Sequence, residues 1–153
     1  MTDARTAGDQ AAGADADQLT GIRAGAFGLY KVLIALFAVG VLVQIFLDGL
    51  GIFDSPVAAT DGASTELDPH RTLGTILTQP AATVLLVLAV VARPNRRIVQ
   101  GTVALVVLGL IQTLLADFGR EQPVLGALHT VVAVVYLGLV ADLARNALDR
   151  RPR

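Results

Sequence analysis

Cysteine is absent from this 153-residue chain, which excludes disulfides, thiolate metal sites, thiol catalysis and covalent attachment of a c-type haem. Charge is scarce: 16% of the residues are Asp, Glu, Lys or Arg, and they sum to −1. No basic surface is left for a nucleic-acid partner. Aromatic residues make up only 5%. What is present instead is aliphatic, with 54% hydrophobic residues and a mean hydropathy of +0.63. A soluble domain of this size cannot hide that much apolar surface in its own core. The first 20 residues are rich in Ala, Gly and Asp and lack an apolar h-region. They read as part of a disordered cytoplasmic tail over 1–22, not as a signal peptide.

Four apolar runs follow, each near the roughly 20 residues that a helix needs to cross a hydrocarbon core. They predict helices at about 26–47, 69–92, 98–116 and 124–145, within a transmembrane domain over 23–148. Asp68 suits a helix cap and Pro69 the first helical position. Arg93-Pro94-Asn95-Arg96-Arg97 is a tight basic turn between the second and third runs. Short turns make sequential helices antiparallel, so the expected fold is all-α, an integral membrane up-down-up-down four-helix bundle. No internal repeat of the kind that marks an inverted-repeat transporter is seen.

Charge supplies an orientation. With the N-terminus in the cytoplasm, Arg5, Arg23, Lys31, Arg93, Arg96, Arg97, Arg145, Arg150, Arg151 and Arg153 all lie inside. Only Arg71 and Arg120 lie outside, among Asp48, Asp54, Asp61, Glu66, Asp68, Asp117 and Glu121. Ten basic residues against two is a positive-inside bias. It places the chain in the cell membrane with both termini, including the basic tail at 149–153, in the cytoplasm. The outer connection over 54–66 is acidic and built of small residues, and reads as a flexible connector.

The chain has two histidines, both on membrane helices. His70 opens the second helix in Asp68-Pro69-His70-Arg71, and His129 lies in the fourth, in Ala127-Leu128-His129-Thr130. Both helices enter from the outer side. Small residues flank the histidines on the same faces, Gly74 beside His70 and Gly126 and Ala133 beside His129, leaving room for a flat, bulky group. Two neutral imidazoles facing each other between helices are the axial ligands of a low-spin b-type haem. Arg71, next to one of them, suits a haem propionate.

This pattern, a His-Arg pair opening helix two and a Leu-His in helix four, resembles one half of haem A synthase, a protein of two four-helix bundles. The resemblance covers the membrane region from about Tyr30 to Arg145. It implies one haem held by His70 and His129 near the outer face. The chain also resembles a family of small bacterial four-helix membrane proteins of unknown function, in which Asp-x-His-Arg and Leu-His recur. Haem A synthase carries a glutamate three residues before the helix-two histidine, where this chain has Leu67, with Glu66 one position off. The outer-loop cysteines and the second half are also missing. The resemblance therefore implies a haem-holding scaffold and no catalysis of haem oxidation.

Two readings stay open. In one, the protein holds a b-type haem for electron transfer or haem handling, with a redox partner. In the other it is a haem-free structural, accessory or lipid-interacting bundle, with His129 bonded to Gln44 or Gln112 and His70 an inert interfacial residue. No nucleophile–base pair or metal cluster argues for an enzyme, and the state of self-association is not encoded in any motif. Two features bear on the haem reading. Counting from Pro69 and Pro123, the histidines differ in depth by roughly 7 Å at 1.5 Å per residue. Thr72, Thr75, Gln79 and Thr83 form a polar stripe nearly opposite His70 on an ideal wheel, unless threonine bonds its own backbone and Pro80 breaks the phase.

The charge bias gives a direct test. Reporter fusions after Leu50 and Gly119 should report the outer side, and those after Arg97 and Arg153 the cytoplasm. A reversed pair would overturn the orientation.

Overall fold

The computed structural model describes residues 3–54, 68–119 and 121–149, with side chains in the first of these from Gly21 to Gly51. Four helices make up the described chain: α1 (Asp3–Asp54), α2 (Asp68–Ala92), α3 (Arg96–Gly119) and α4 (Pro123–Leu148). All four contain a stretch long and apolar enough to cross a membrane, in α1 the segment Gly21–Gly51. Each is longer than its apolar run suggested. At the N-terminus the backbone is helical from Asp3, where an unstructured tail was expected over 1–22. Alanine-rich sequence appended to a formed helix propagates it without a new nucleus. The outer connection at 55–67, Arg120 and the tail beyond Asp149 lie outside the described residues.

Local chemistry sets the turns. At the end of α2, Arg93 takes the left-handed conformation, with φ 46°, and its N–H closes on the Ala89 carbonyl at 2.9 Å. Pro94 cannot continue the helix. Asn95 then caps α3, its Oδ1 accepting the Ile98 N–H at 2.7 Å. Gln122 is extended, and Pro123 begins α4, where a missing N–H costs nothing. These short connections give the up-down-up-down order, and the helices form a ring in which α1 and α3 each pack on both α2 and α4.

Inside α2, residues Leu77–Ala81 form a π turn that contains Pro80. Proline lacks the N–H for the regular bond and crowds the carbonyl four residues back, and a wide turn relieves both. Thr72, Thr75, Gln79 and Thr83 all face outward. The Thr75 and Thr83 hydroxyls donate to the carbonyls of Arg71 at 3.0 Å and Gln79 at 2.7 Å. Thr75 and Thr83 thus satisfy themselves on the outward face, and His70 turns inward.

The core repeats. The buried residues Tyr30, Ile34, Phe37 and Val41, with half-buried Gln44, recur in α3 at one constant spacing as Ile98, Thr102, Leu105, Gly109 and Gln112. His70, Gly74 and Leu77 of α2 recur likewise in α4 as His129, Ala133 and Tyr136. Beyond the π turn, Ala82, Leu85 and Ala89 match Val140, Leu143 and Ala147 at a spacing shorter by one, because the π turn holds one extra residue. The bundle is therefore two helical hairpins in the same register, α1–α2 and α3–α4. A rotation by half a turn about the bundle axis exchanges them. This is a parallel repeat, whose plainest trace in the sequence is Gln44-x-x-Leu47-x-x-x-Gly51 against Gln112-x-x-Leu115-x-x-x-Gly119. Across the centre the Tyr30 hydroxyl meets that of Thr102 at 2.8 Å.

Glycines permit the closest approaches. A Cβ on Gly109 would lie 2.8 Å from the backbone oxygen of Thr78, whereas one on Gly101 would meet only the tip of Leu143, at 2.7 Å. Gly109→Ala must separate α2 from α3 and should cost about 1–3 kcal/mol, while Gly101→Ala should cost under about 1 kcal/mol because a leucine methyl can rotate away. Equilibrium unfolding in mixed micelles checks the ranking, and equal losses would contradict it.

Candidate functional site

At the end of the bundle away from the α2–α3 turn, each hairpin is closed by one glutamine and one histidine. In the first, His70 sits in the opening turn of α2, against Gln44 near the end of α1. Its Nδ1 lies 3.1 Å from the Gln44 carbonyl oxygen. The Gln44 amide nitrogen donates back to the His70 carbonyl at 2.8 Å and lies 3.3 Å from His70 Nε2. The neutral tautomer that satisfies these contacts carries its proton on Nδ1, which donates to the carbonyl while Nε2 accepts from the amide.

The second hairpin has the same construction. His129 Nδ1 lies 3.1 Å from the Gln112 carbonyl oxygen. With its amide oriented to satisfy its surroundings, Gln112 donates to the His129 carbonyl at 3.0 Å and accepts the Ala133 N–H at 3.0 Å. The amide nitrogen also lies 3.1 Å from Nδ1, which either accepts that N–H or, when it carries the ring proton, donates to the carbonyl. His129 Nε2 makes no hydrogen bond among the described residues. Each pair is a reciprocal clasp: ring to glutamine backbone, glutamine side chain to histidine backbone. The small residue four positions after each histidine, Gly74 or Ala133, makes room for the glutamine. A Cβ on Gly74 would lie 2.7 Å from the Gln44 amide nitrogen.

The clasps differ in their surroundings. Asp48 Oδ1 lies 3.8 Å from His70 Nε2, while the equivalent position in α3 is Ala116. Arg71, expected to face a propionate, forms an ion pair with Asp68 at 3.3 Å, one turn back. At the same end of the second hairpin the backbones of α3 and α4 nearly touch, a Cβ on Gly119 falling 2.8 Å from Gly126 Cα. Gly126, expected to leave room beside His129, is spent on this contact. Two buried polar atoms have no partner among the described residues, Gln44 Oε1 and the Tyr136 hydroxyl. Tyr136 otherwise belongs to the core, its ring 6.3 Å from that of Phe37.

Can these residues hold a metal or cofactor? No group of three or more His, Asp or Glu side chains converges among the described residues, so the chain does not build a complete metal coordination sphere there. Two imidazoles are the donor set for a macrocycle that brings its own four nitrogens. Both rings lie on the inward faces of their helices, in step with buried Leu77 and Tyr136. The repeat gives them equivalent places, each opposite the glutamine of its own hairpin. The hydrogen bonds from Nδ1 to a backbone carbonyl are those that orient histidine ligands and leave Nε2 to the metal. The donor set fits. The space beside His70 is filled by the Gln44 amide, which has to swing aside to free Nε2.

Gln44 and Gln112 were legible as polar residues in apolar runs, and either was expected as the partner of His129; Gln112 takes that place and Gln44 meets His70. Their reciprocal form and the equivalence of the pairs were not legible, because a clasp joins residues far apart along the chain.

Residues 44–119 match the model of a family of unknown function, DUF6220. The match begins at Gln44 and ends at Gly119, just under half of the chain, and takes in the whole first clasp and Gln112 of the second. No curated protein and no solved structure matches the chain.

In cofactor-free protein the clasps should behave as separate, equal units. Double-mutant cycles for Gln44→Leu with His70→Leu, and for Gln112→Leu with His129→Leu, should each return about 0.6 kcal/mol, with about 1.7 as the ceiling for such bonds in a membrane. The crossed cycle, Gln44→Leu with His129→Leu, should be additive within about 0.3–0.5 kcal/mol.

Proposed function

We propose that this multi-pass membrane protein holds one b-type haem between α2 and α4, with His70 and His129 as its axial ligands, and serves electron transfer or haem handling. The observation that carries the reading is the equivalence of the two histidines: same place in a repeated hairpin, same Nδ1 contact at 3.1 Å. Bound there, haem would supply one-electron redox chemistry. The chain's own contributions are positional. The carbonyls of Gln44 and Gln112 hold the Nδ1 protons and fix the ring planes. The apolar surroundings, Leu77 and Val41 among them, keep water from the centre. Arg71, already at the water boundary with Asp68, would turn one guanidinium edge to a propionate. With the basic turn at Arg93–Arg97 in the cytoplasm of the cell, the clasps lie toward the outer face, where a redox partner would meet them.

A haem-free accessory bundle is the second reading. What favours it is the occupancy of the first clasp: His70 Nε2 is taken by the Gln44 amide, which also fills the notch at Gly74. On that reading the clasps are interhelical locks and nothing more.

One optical spectrum separates the two. Protein purified from cells supplied with haem precursor should show a Soret band and, on reduction with dithionite, the sharp α-band of six-coordinate low-spin iron. His70→Ala and His129→Ala should each abolish that spectrum or convert it to a high-spin one, since a single imidazole leaves an open axial position. Arg71→Ala should keep the spectrum and move the midpoint potential. Colourless protein would leave the haem-free reading standing.

A further inference from the structure

We infer that the opposite end of the bundle carries a binding site for the phosphate of an anionic phospholipid, in the pocket beneath the α2–α3 turn. The pocket is shallow and open, about 410 Å³, and is lined by Val90, Arg93, Asn95, Arg96, Val99 and Gln100. Its composition is divided. Val90 and Val99 form an apolar floor on the last turn of α2 and the first turn of α3. Arg93, Asn95, Arg96 and Gln100 form a polar rim above it.

The rim arginines differ from their neighbour. Arg97 is committed to Asp142 of α4, with contacts of 3.0 and 3.3 Å. Arg93 and Arg96 form no ion pair among the described residues. Arg93 spends its Nε on the Val90 carbonyl at 3.3 Å, which holds the side chain against the pocket and leaves both terminal nitrogens to donate. Asn95 supplies its side-chain oxygen to the Ile98 N–H, which caps α3 beside the two arginines. Two guanidinium forks beside a helix N-terminus make a phosphate-binding set.

The floor decides which phosphate. Inorganic phosphate, or that of a soluble nucleotide, has no use for exposed valines. A phospholipid places its phosphate at the water boundary and its acyl chains just inside, in the order of this rim and floor. The pocket also lies where the apolar run of α2 ends, at Ala92, and that of α3 begins, at Ile98. Basic pockets between helices at this level take anionic head groups. This site is independent of the histidine clasps at the other end.

The test uses the full chain in detergent, titrated with phosphatidylglycerol or phosphatidylcholine and followed by native mass spectrometry. Phosphatidylglycerol should bind about tenfold more tightly, as expected for two basic residues at an anionic head group. The double variant Arg93→Lys, Arg96→Lys keeps every positive charge, and with it the orientation, but loses the forks. It should weaken the binding of phosphatidylglycerol about tenfold while its advantage over phosphatidylcholine, which rests on charge, stays. Arg23→Lys should change nothing. Should the double variant fail to insert, Arg96→Lys alone reads the same loss in part. Undiminished affinity for phosphatidylglycerol in the lysine variants would mean diffuse surface attraction and overturn the site. So would full displacement of the lipid by excess inorganic phosphate, which would show that the floor plays no part.

Discussion

A bilayer offers no water to a polar group, so whatever polar chemistry enters the membrane must be satisfied by the protein itself. This bundle meets the demand at successive levels. Thr75, Thr78 and Thr83 return their hydroxyls to their own helix. Tyr30 and Thr102 satisfy each other across the centre. Gln44 and Gln112 reach to the neighbouring helix and are answered by a histidine. The clasps are the strongest form of this answer, because each joins two helices through both backbones and both side chains. The spacing of the helices at that end, the need for Gly74 and Ala133, and the inward turn of the imidazoles all follow from them.

The duplicated hairpin gives the bundle a symmetry that its surroundings then break. Both histidines are held alike, yet only His70 has a carboxylate nearby, Asp48, and an Arg71–Asp68 pair beside it. His129 has Ala116 and a close glycine contact between α3 and α4 instead. One hairpin is thus tuned toward water and charge and its twin toward tight packing. The orphaned oxygen of Gln44 is on the charged side and the orphaned hydroxyl of Tyr136 on the packed side.

Much of this architecture was legible in the sequence. The four spans were readable because bilayer thickness fixes the length of an apolar run, and the antiparallel order because the turns are short. The escape of the threonine stripe was foreseeable, since a hydroxyl can bond its own helix and Pro80 can shift the phase. Other features hid for physical reasons. Asp142 has Arg145 of its own helix at 3.5 Å, but Arg97 of the neighbouring helix comes nearer, at 3.0 Å. Spacing along one helix cannot reveal a contact across two. Gly74 was read as room for a ligand, and the room belongs to Gln44. The repeat escaped because two hairpins with loops of unequal length and one extra residue in α2 do not align over any long stretch.

That extra residue has its own consequence. Deleting one residue from an ordinary transmembrane helix turns everything beyond it by about 100° and carries a core face into lipid. In α2 the interval from Leu77 to Ala82 is one longer than its counterpart in α4, from Tyr136 to Val140, and both ends nevertheless point inward. A single-residue deletion within Leu77–Ala81, Pro80 above all, would close the wide turn into a regular one and give α2 the register its twin already has. A lesion that ruins most membrane helices would here be nearly silent.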